Sequence, residues 1–257
     1  MTKIHSTALI APSAQIGNDV EIGAFAIVGE DCVIGDGCII APRATLERYV
    51  TLGRNVKVGI GSVLGGDPQD LKFDGERTTV EIGDNTVIRE YATINRGTAQ
   101  SFRTTVGANC FIMSYVHLAH DCHVGNGVIL ANAVQLAGHV TVEDRAGISG
   151  MSAVHQFARI GKHSFVGGCS RVSKDVPPYV KAVGNPMRLY GLNTVGLQRN
   201  GFSDETIREL KRAYRLFFRS ELNVTQAIER VNAEVELLPE VRHLVAFLEQ
   251  SERGVAI

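Results

Sequence analysis

The middle of the chain is rich in residues that can move protons or bind a metal ion. Four histidines, a carboxylate, an amide and a glycine fall within forty residues: His117, His120, Asp121, Gly138, His139, His155 and Gln156. Imidazole, with an unperturbed pKa near 6.5, can accept a proton from a hydroxyl group at neutral pH. The same ring ligates zinc, but the spacing of three between His117, His120 and His123 matches a histidine zinc site poorly, so no metal is expected. Either chemistry needs a fold that brings these positions together.

An aliphatic residue at every sixth position supplies that fold. From Ile4 to Val172 this register is broken only at Asp70, Glu76 and Gln100. A period of six matches neither a helix nor a long strand, and it is typical of parallel β-helices built from hexapeptide repeats. Glycine often follows the aliphatic residue, as at Gly29, where it would permit a positive φ and close backbone approach. The sequence therefore predicts a parallel β-helix with coils of three hexads.

Such coils of 18 residues convert sequence spacing into contact. Residues n and n+18 should stack about 4.8 Å apart. His120, Gly138, Gln156 and Lys174 then form one column, and Asp121, His139 and Phe157 form the next. Gly150 and Gly168 stack likewise and leave a strip without side chains. We expect the histidines to gather along one edge of the solenoid.

Two polar segments interrupt the repeat, and a helical region follows it. Residues 65–79 and 97–104 are expected to be functional loops that leave the coil. The repeat ends at Asp175-Val-Pro-Pro, which predicts a β-helix over 1–190 and a helical domain over 191–257. Ser203 should cap a helix over 204–219, Asn223 a second to about 237, and Pro239 should open a third to about 250.

Composition restricts the function classes. A formal net charge of −1 gives no reason to expect nucleic-acid binding. No apolar run approaches the length needed to span a bilayer, and no signal peptide is expected before Ile4. The five cysteines are odd in number and lack a CxxC pair, which favours a reducing, cytoplasmic location.

Eight short motifs, in this order and spacing, resemble one family across nearly the whole chain. They are Gln69-Asp-Leu-Lys72, Arg96-Gly-Thr98, His117-Leu-Ala-His-Asp-Cys122, Leu136-Ala-Gly-His139, Ala153-Val-His-Gln-Phe157, Val166-Gly-Gly-Cys-Ser170, Asp175-Val-Pro-Pro-Tyr179 and Arg199-Asn-Gly-Phe202. The family is that of the UDP-N-acetylglucosamine acyltransferases, which begin lipid A biosynthesis. The resemblance implies a homotrimer of left-handed β-helices with active sites between subunits, no cofactor, and a 3-hydroxyacyl donor on acyl carrier protein.

The resemblance also implies roles for individual residues. His120 would be the general base on the sugar 3-hydroxyl, Asp121 would orient it, and the Gly138 N–H would hold the oxyanion. Substrate contacts would come from Asp70, Lys72, His117, His139, His155, Gln156, Asn193 and Arg199. The matching position of Gly168, with Gly150 stacked on it, implies a long acyl chain of about fourteen carbons. A basic face over 199–219 is expected to attract the acidic carrier.

Three departures from the family pattern leave alternatives open. Asn95 stands where histidine is usual, Arg77 replaces a proline, and Asn200 replaces the arginine that commonly follows Arg199. A paralogue that acts on a 3-amino nucleotide sugar therefore remains as an alternative. Two other function classes also remain: a coenzyme A-dependent sugar acetyltransferase, and a non-catalytic or metal-binding β-helical scaffold.

Overall fold

A computed structural model describes residues 1–256, which form 28 short strands and four helices. In the N-terminal half the strands are β1 (Lys3–Ile4), β2 (Leu9–Ile10), β3 (Gln15–Ile16), β4 (Glu21–Ile22), β5 (Ile27–Val28), β6 (Val33–Ile34), β7 (Ile39–Ile40), β8 (Thr45–Leu46), β9 (Val50–Leu52), β10 (Lys57–Val58), β11 (Val63–Gly66), β12 (Thr79–Ile82), β13 (Val87–Ile88), β14 (Thr93–Asn95) and β15 (Arg103–Val106). They continue as β16 (Phe111–Ile112), β17 (His117–Leu118), β18 (His123–Val124), β19 (Ile129–Leu130), β20 (Gln135–Leu136), β21 (Thr141–Val142), β22 (Gly147–Ile148), β23 (Ala153–Val154), β24 (Arg159–Ile160), β25 (Phe165–Val166), β26 (Arg171–Val172), β27 (Val180–Gly184) and β28 (Met187–Leu192).

The strands form three sheets that make the sides of a triangular coil. The first sheet has the order β1-β4-β7-β10-β13-β16-β19-β22-β25-β27-β28, the second runs from β2 to β26, and the third from β3 to β24. All pairings are parallel except that of β27 with β28. We call the turn from the first to the second sheet the first corner. The second corner leads from the second to the third sheet, and the third corner leads back to the first sheet.

The aliphatic residue of each hexad fills the interior. Ile22, Leu46, Leu118 and Leu136 are at most 3% exposed, and Leu118 pairs in register with Leu136 of the next coil. Each coil therefore buries its apolar side chains against its neighbours, as a solenoid must.

The expectation for glycines after the aliphatic residue is wrong about φ and right about close approach. Within the regular coils those glycines, including Gly29, do not have positive φ, which occurs instead at later corner residues such as Tyr49, Asp121 and His139. At Gly29, however, an added Cβ would lie 1.5 Å from the carbonyl oxygen of Glu47 in the next coil. Contact between successive coils, and not the turn, requires glycine there.

Both interruptions of the repeat leave the coil at the second corner. Residues 67–78 connect β11 to β12, and residues 96–102 connect β14 to β15. The register resumes after each: Val63 pairs with Thr93 and Thr93 with His117. The two loops therefore lie along the edge that carries His120 and Asp121.

The C-terminal region consists of α1 (Thr194–Arg199), α2 (Asp204–Phe218), α3 (Val224–Glu234) and α4 (Pro239–Glu249). Ser203 and Asn223 cap α2 and α3 as expected, whereas α1 is not anticipated by the sequence. The helices return to the coil through His243, which lies 2.8 Å from Glu143, and through Ser251, which donates to Asp175 at 2.8 Å. None of the helices within residues 1–256 is long and apolar enough to cross a membrane.

Candidate active site

Asp121 is the most completely bonded carboxylate at the second corner. Its side chain is 0% exposed. Thr98 donates twice, from its backbone N–H to Oδ1 at 3.0 Å and from its hydroxyl to Oδ2 at 2.7 Å. The hydroxyl of Ser101 donates to Oδ1, and His120 contacts Oδ2 through Nδ1 at 2.8 Å. All four lone-pair positions of the carboxylate are therefore used.

These contacts keep Asp121 ionised. Burial by itself would raise the pKa of its carboxyl, but the hydrogen bonds from Ser101, His120 and Thr98 outweigh burial and hold the pKa below its usual value. Because Oδ2 of the ionised carboxylate can only accept, Nδ1 of the neighbouring imidazole must donate the hydrogen bond. The proton of neutral His120 therefore lies on Nδ1, and Nε2 is left as an acceptor.

His120 presents that acceptor beside Gly138. A Cβ at position 138 would lie 2.6 Å from Cε1 and 2.8 Å from Nε2 of His120, so only glycine fits under the ring. The Gly138 carbonyl accepts from Phe157, while its N–H has no hydrogen-bond partner among residues 1–256. The free acceptor nitrogen of His120 thus lies next to a residue whose N–H donor is unpaired.

Two further histidines flank this pair. His139 stacks on Phe157 with ring centroids 4.4 Å apart and lies edge-on to His120 at 5.0 Å. Burial lowers the pKa of His139, and the negative charge of Asp121 opposes that shift only in part. His117 contacts the Thr93 hydroxyl through Nδ1 at 2.7 Å, and burial followed by repulsion from His120 lowers its pKa. Both shifts favour the neutral form of the ring.

The two loops are tied to each other as well as to Asp121. Arg96 is 2% exposed, forms an ion pair with Asp67 and lies over the ring of Phe73 at 5.1 Å. The Ala99 N–H donates to Glu76 at 2.9 Å. The segment 96–102 therefore anchors both the Asp121 carboxylate and the loop that bears Asp70 and Lys72.

Thr98, Ser101 and Arg96 are site residues that the sequence reasoning did not assign. The motif Arg96-Gly-Thr98 was a signal, but no spacing rule connects it to Asp121, because an inserted loop separates them. The departures Asn95 and Arg77 anchor the other loop: Asn95 donates to the Asp67 carbonyl at 2.7 Å, and Arg77 pairs with Asp31 at 3.2 Å.

The remaining predicted residues are distributed over all three corners of the coil. His155 and Gln156 are exposed one coil beyond Gly138, on the same edge. Asn193 and Arg199 lie on the far side of the third sheet: Asn193 caps α1 and donates to the His163 carbonyl at 3.1 Å at the third corner. Gly150 and Gly168 stack at the first corner, where the Cys169 N–H donates to the Gly150 carbonyl at 3.0 Å.

A metal site fits this geometry poorly. The side chains that lie within 4.8 Å of one another are His120, Asp121 and His139, and not the set His117, His120 and His123 considered from spacing. A cation would have to displace one of the four hydrogen bonds to Asp121.

Comparison with known proteins agrees with this architecture. A family model described as "Udp N-acetylglucosamine O-acyltransferase; Domain 2" matches residues 175–256, and a bacterial transferase hexapeptide model matches 13–48 and 103–138. The chain is 50% identical over 260 residues to the acyl-[acyl-carrier-protein]–UDP-N-acetylglucosamine O-acyltransferase of Burkholderia orbicola, and 99% of each protein is covered. The chain belongs to this O-acyltransferase family.

A solved member shares the whole fold. The UDP-N-acetylglucosamine acyltransferase of Bacteroides fragilis superposes with a TM-score of 0.98 at 44% identity, covering 99% of this chain and 100% of that one. The prediction of a left-handed parallel β-helix followed by a helical region is confirmed. The chain is an acyltransferase, and the O-acyltransferase interpretation is supported over the 3-amino-sugar and coenzyme A alternatives.

Proposed function

We propose that this acyltransferase moves a 3-hydroxyacyl group from acyl carrier protein to the 3-hydroxyl of UDP-N-acetylglucosamine, the first step of lipid A biosynthesis. The relatives bear the names of these two substrates. The observation that carries the chemistry is the free Nε2 of His120, whose ring is fixed by Asp121, beside Gly138 with its unpartnered N–H.

The reaction then needs no covalent enzyme intermediate. Nε2 of His120 takes the proton of the sugar 3-hydroxyl as its oxygen attacks the thioester carbon. The Gly138 N–H holds the negative charge that develops on the carbonyl oxygen. The tetrahedral intermediate collapses, the C–S bond breaks, and the His120 imidazolium returns its proton to the departing thiolate. Asp121 stabilises the imidazolium and keeps the proton of the neutral ring on Nδ1.

The sugar is positioned by side chains around this pair. Asp70 and Lys72 extend from the 67–78 loop, and His139 is close enough for the Asp70 charge to act on its pKa. His117 lies on the second sheet next to His120. These residues, with His155 and Gln156 on the next coil, would surround the amino sugar and the carrier's arm.

A homotrimer would complete the site. Asn193 and Arg199 lie beside the third corner, a full side of the triangle away from His120 at the second corner. They can reach a substrate bound at His120 only if the third corner of one subunit meets the second corner of another. Three such junctions close a ring with three equivalent sites.

The donor would dock and extend across the same assembly. From the second corner the acyl chain would cross the second sheet toward Gly150 and Gly168, about six residues or at most ~20 Å away. On the helix α2 side, Lys211 and Arg215 are exposed cations without an ionic partner among residues 1–256. They are candidates for carrier binding.

Five free cysteines, four of them buried, support a reducing cytoplasmic location.

Replacing His120 by alanine tests the proposal. The variant should lose at least about 10²-fold in kcat with the purified carrier and nucleotide sugar, since general-base catalysis contributes 10²–10⁴-fold. His123→Ala is the matched control, because its ring bonds Thr105 on the third sheet and is outside the proposed machinery. Retention of more than about a tenth of the activity in His120→Ala would refute the base assignment. Loss in both variants would indicate a general structural effect and would also contradict the base assignment.

A further inference from the structure

Two arginines beside the third corner have no carboxylate partner. Arg145 and Arg199 are exposed, and neither forms an ion pair within residues 1–256. The nearby acids are already engaged: Glu143 with His243 and Arg159, and Asp144 with Lys162 at 3.8 Å. The charges of these two arginines are therefore not neutralised by any ion pair within the described residues.

The Arg145 guanidinium is held in place while most of its N–H donors remain free. Its stem lies on Gly127 of the preceding coil, where an added Cβ would come within 3.3 Å of Cγ. Its Nη1 donates to Oδ1 of Asn200 at 3.1 Å. Asn200 is itself oriented, since its Nδ2 donates to the Gly196 carbonyl at 2.8 Å. The contact with Asn200 uses a single N–H of Arg145, and the other N–H donors of its guanidinium remain free.

The positive field is felt by a neighbouring group. The pKa of His163 falls to about 4, first because the ring is buried and then because Lys162 and Arg145 repel its charged form. The same positive charges would attract an anion bound between Arg145 and Arg199. A guanidinium fork also fits phosphate oxygens.

We propose that Arg145 binds the diphosphate of the nucleotide sugar together with Arg199, and that it supplies from the coil the cation that position 200 lacks. Asn200, which departs from the family's usual arginine, then acts as the support that points Arg145 toward the phosphates. This inference rests on the proposed function, because it places the substrate's phosphates at the third corner of the subunit next to the reacting histidine.

Binding of UDP, with uridine as the phosphate-free probe, tests the assignment by calorimetry. Arg145→Ala should weaken UDP binding and raise the KM for the nucleotide sugar by about tenfold to a hundredfold, the usual effect of losing a charged hydrogen bond. Uridine binding, kcat and the KM for the acyl carrier should change little. Arg43→Ala is the matched control, since Arg43 is an exposed corner arginine with φ 60 where Arg145 has φ 56.

Two more variants separate charge from support. Arg145→Gln keeps a donor for Asn200 without the charge, so it should behave like Arg145→Ala; wild-type UDP binding in this variant would reduce Arg145 to a structural contact and overturn the proposal. Adding Asn200→Arg to Arg145→Ala should restore most of the UDP affinity. If the wild-type chain binds UDP and Arg145→Ala binds it equally well, only the Arg145 assignment fails. If the wild type neither binds UDP nor transfers acyl groups, the proposed function fails with it.

Discussion

Exchanging Asp121 for asparagine should inactivate the enzyme by moving one proton on His120. The substitution keeps the shape of the side chain, and asparagine tolerates the left-handed backbone of this position, φ 58. The amide nitrogen cannot replace Oδ1, since it would face the Thr98 N–H at 3.0 Å, donor against donor. It must replace Oδ2, where the Thr98 hydroxyl can rotate to accept.

In that orientation the amide donates to Nδ1 of His120, which forces the imidazole proton onto Nε2. The nitrogen that should accept the proton of the sugar hydroxyl is then already protonated. In enzymes with a Ser-His-Asp triad, the same exchange lowers kcat by about 10⁴-fold through the same tautomer change. We expect kcat to fall by about 10²–10⁴-fold, with KM values and thermal stability near neutral pH changing far less.

The assay is steady-state acyl transfer combined with ¹⁵N spectra of labelled histidine, which distinguish the two tautomers. Asp19→Asn is the control, a corner aspartate with φ 52 in the first coil. Asp121 has a lowered pKa in the folded chain, so its ionised form stabilises the fold above the pKa of the unfolded carboxyl, and this contribution disappears as pH falls through the folded pKa. The stability difference between wild type and Asp121→Asn should therefore narrow below about pH 4. An active variant, or one whose His120 proton stays on Nδ1, would refute the reasoning.

Two other predictions concern the donor. Gly168→Met should shift preference from fourteen- to ten-carbon 3-hydroxyacyl carriers by up to about 3 kcal/mol, at ~0.8 kcal/mol per methylene, with little loss of maximal rate on the shorter chain. The backbone can accept it, since a Cβ there would approach the Gly150 carbonyl only to 3.4 Å; a wild type that already prefers ten carbons contradicts the role of Gly168. Changing Lys211 and Arg215 together to Glu should raise the KM for acyl carrier protein several-fold at low salt and leave that for the sugar unchanged, an effect that added salt removes. Arg212 and Arg219 stay intact because they bond Glu209 and the Leu189 carbonyl; an unchanged carrier KM places docking elsewhere.

The hexad repeat predicts much of this molecule because each coil depends only on its neighbours. A constant spacing of 18 places Gly138 under His120 and His139 beside Asp121, and the structure confirms both contacts. The stacking of Gly150 and Gly168 follows from the same rule. Local periodicity is sufficient wherever the coil is uninterrupted.

The same rule fails where a loop is inserted. Thr93 stacks on His117 across 24 residues, so the spacing gives no hint that Thr98 and Ser101 reach Asp121. Helix α1 was also missed, since its six residues are too few for a periodic signal, and its capping residue Asn193 was considered only as a substrate contact. Where Asn193 and Arg199 lie relative to the corners depends on how the chain folds back after the last coil, and motif order does not give that position.

The three departures from the family pattern lie where the structure supplies another contact. Arg77 pairs with Asp31 and lies over Tyr49 at 4.7 Å, and Asn95 holds the Asp67 carbonyl, so both changes affect how the 67–78 loop is anchored. Neither change affects the charges that Asp70 and Lys72 would present to a sugar. The change at Asn200 coincides with Arg145, whose guanidinium it supports. A 3-amino acceptor would call for a difference next to His120, where Gly138, His139 and Asp121 all follow the family motif. The departures therefore concern loop anchoring and phosphate contacts, and they leave the O-acylation chemistry unchanged.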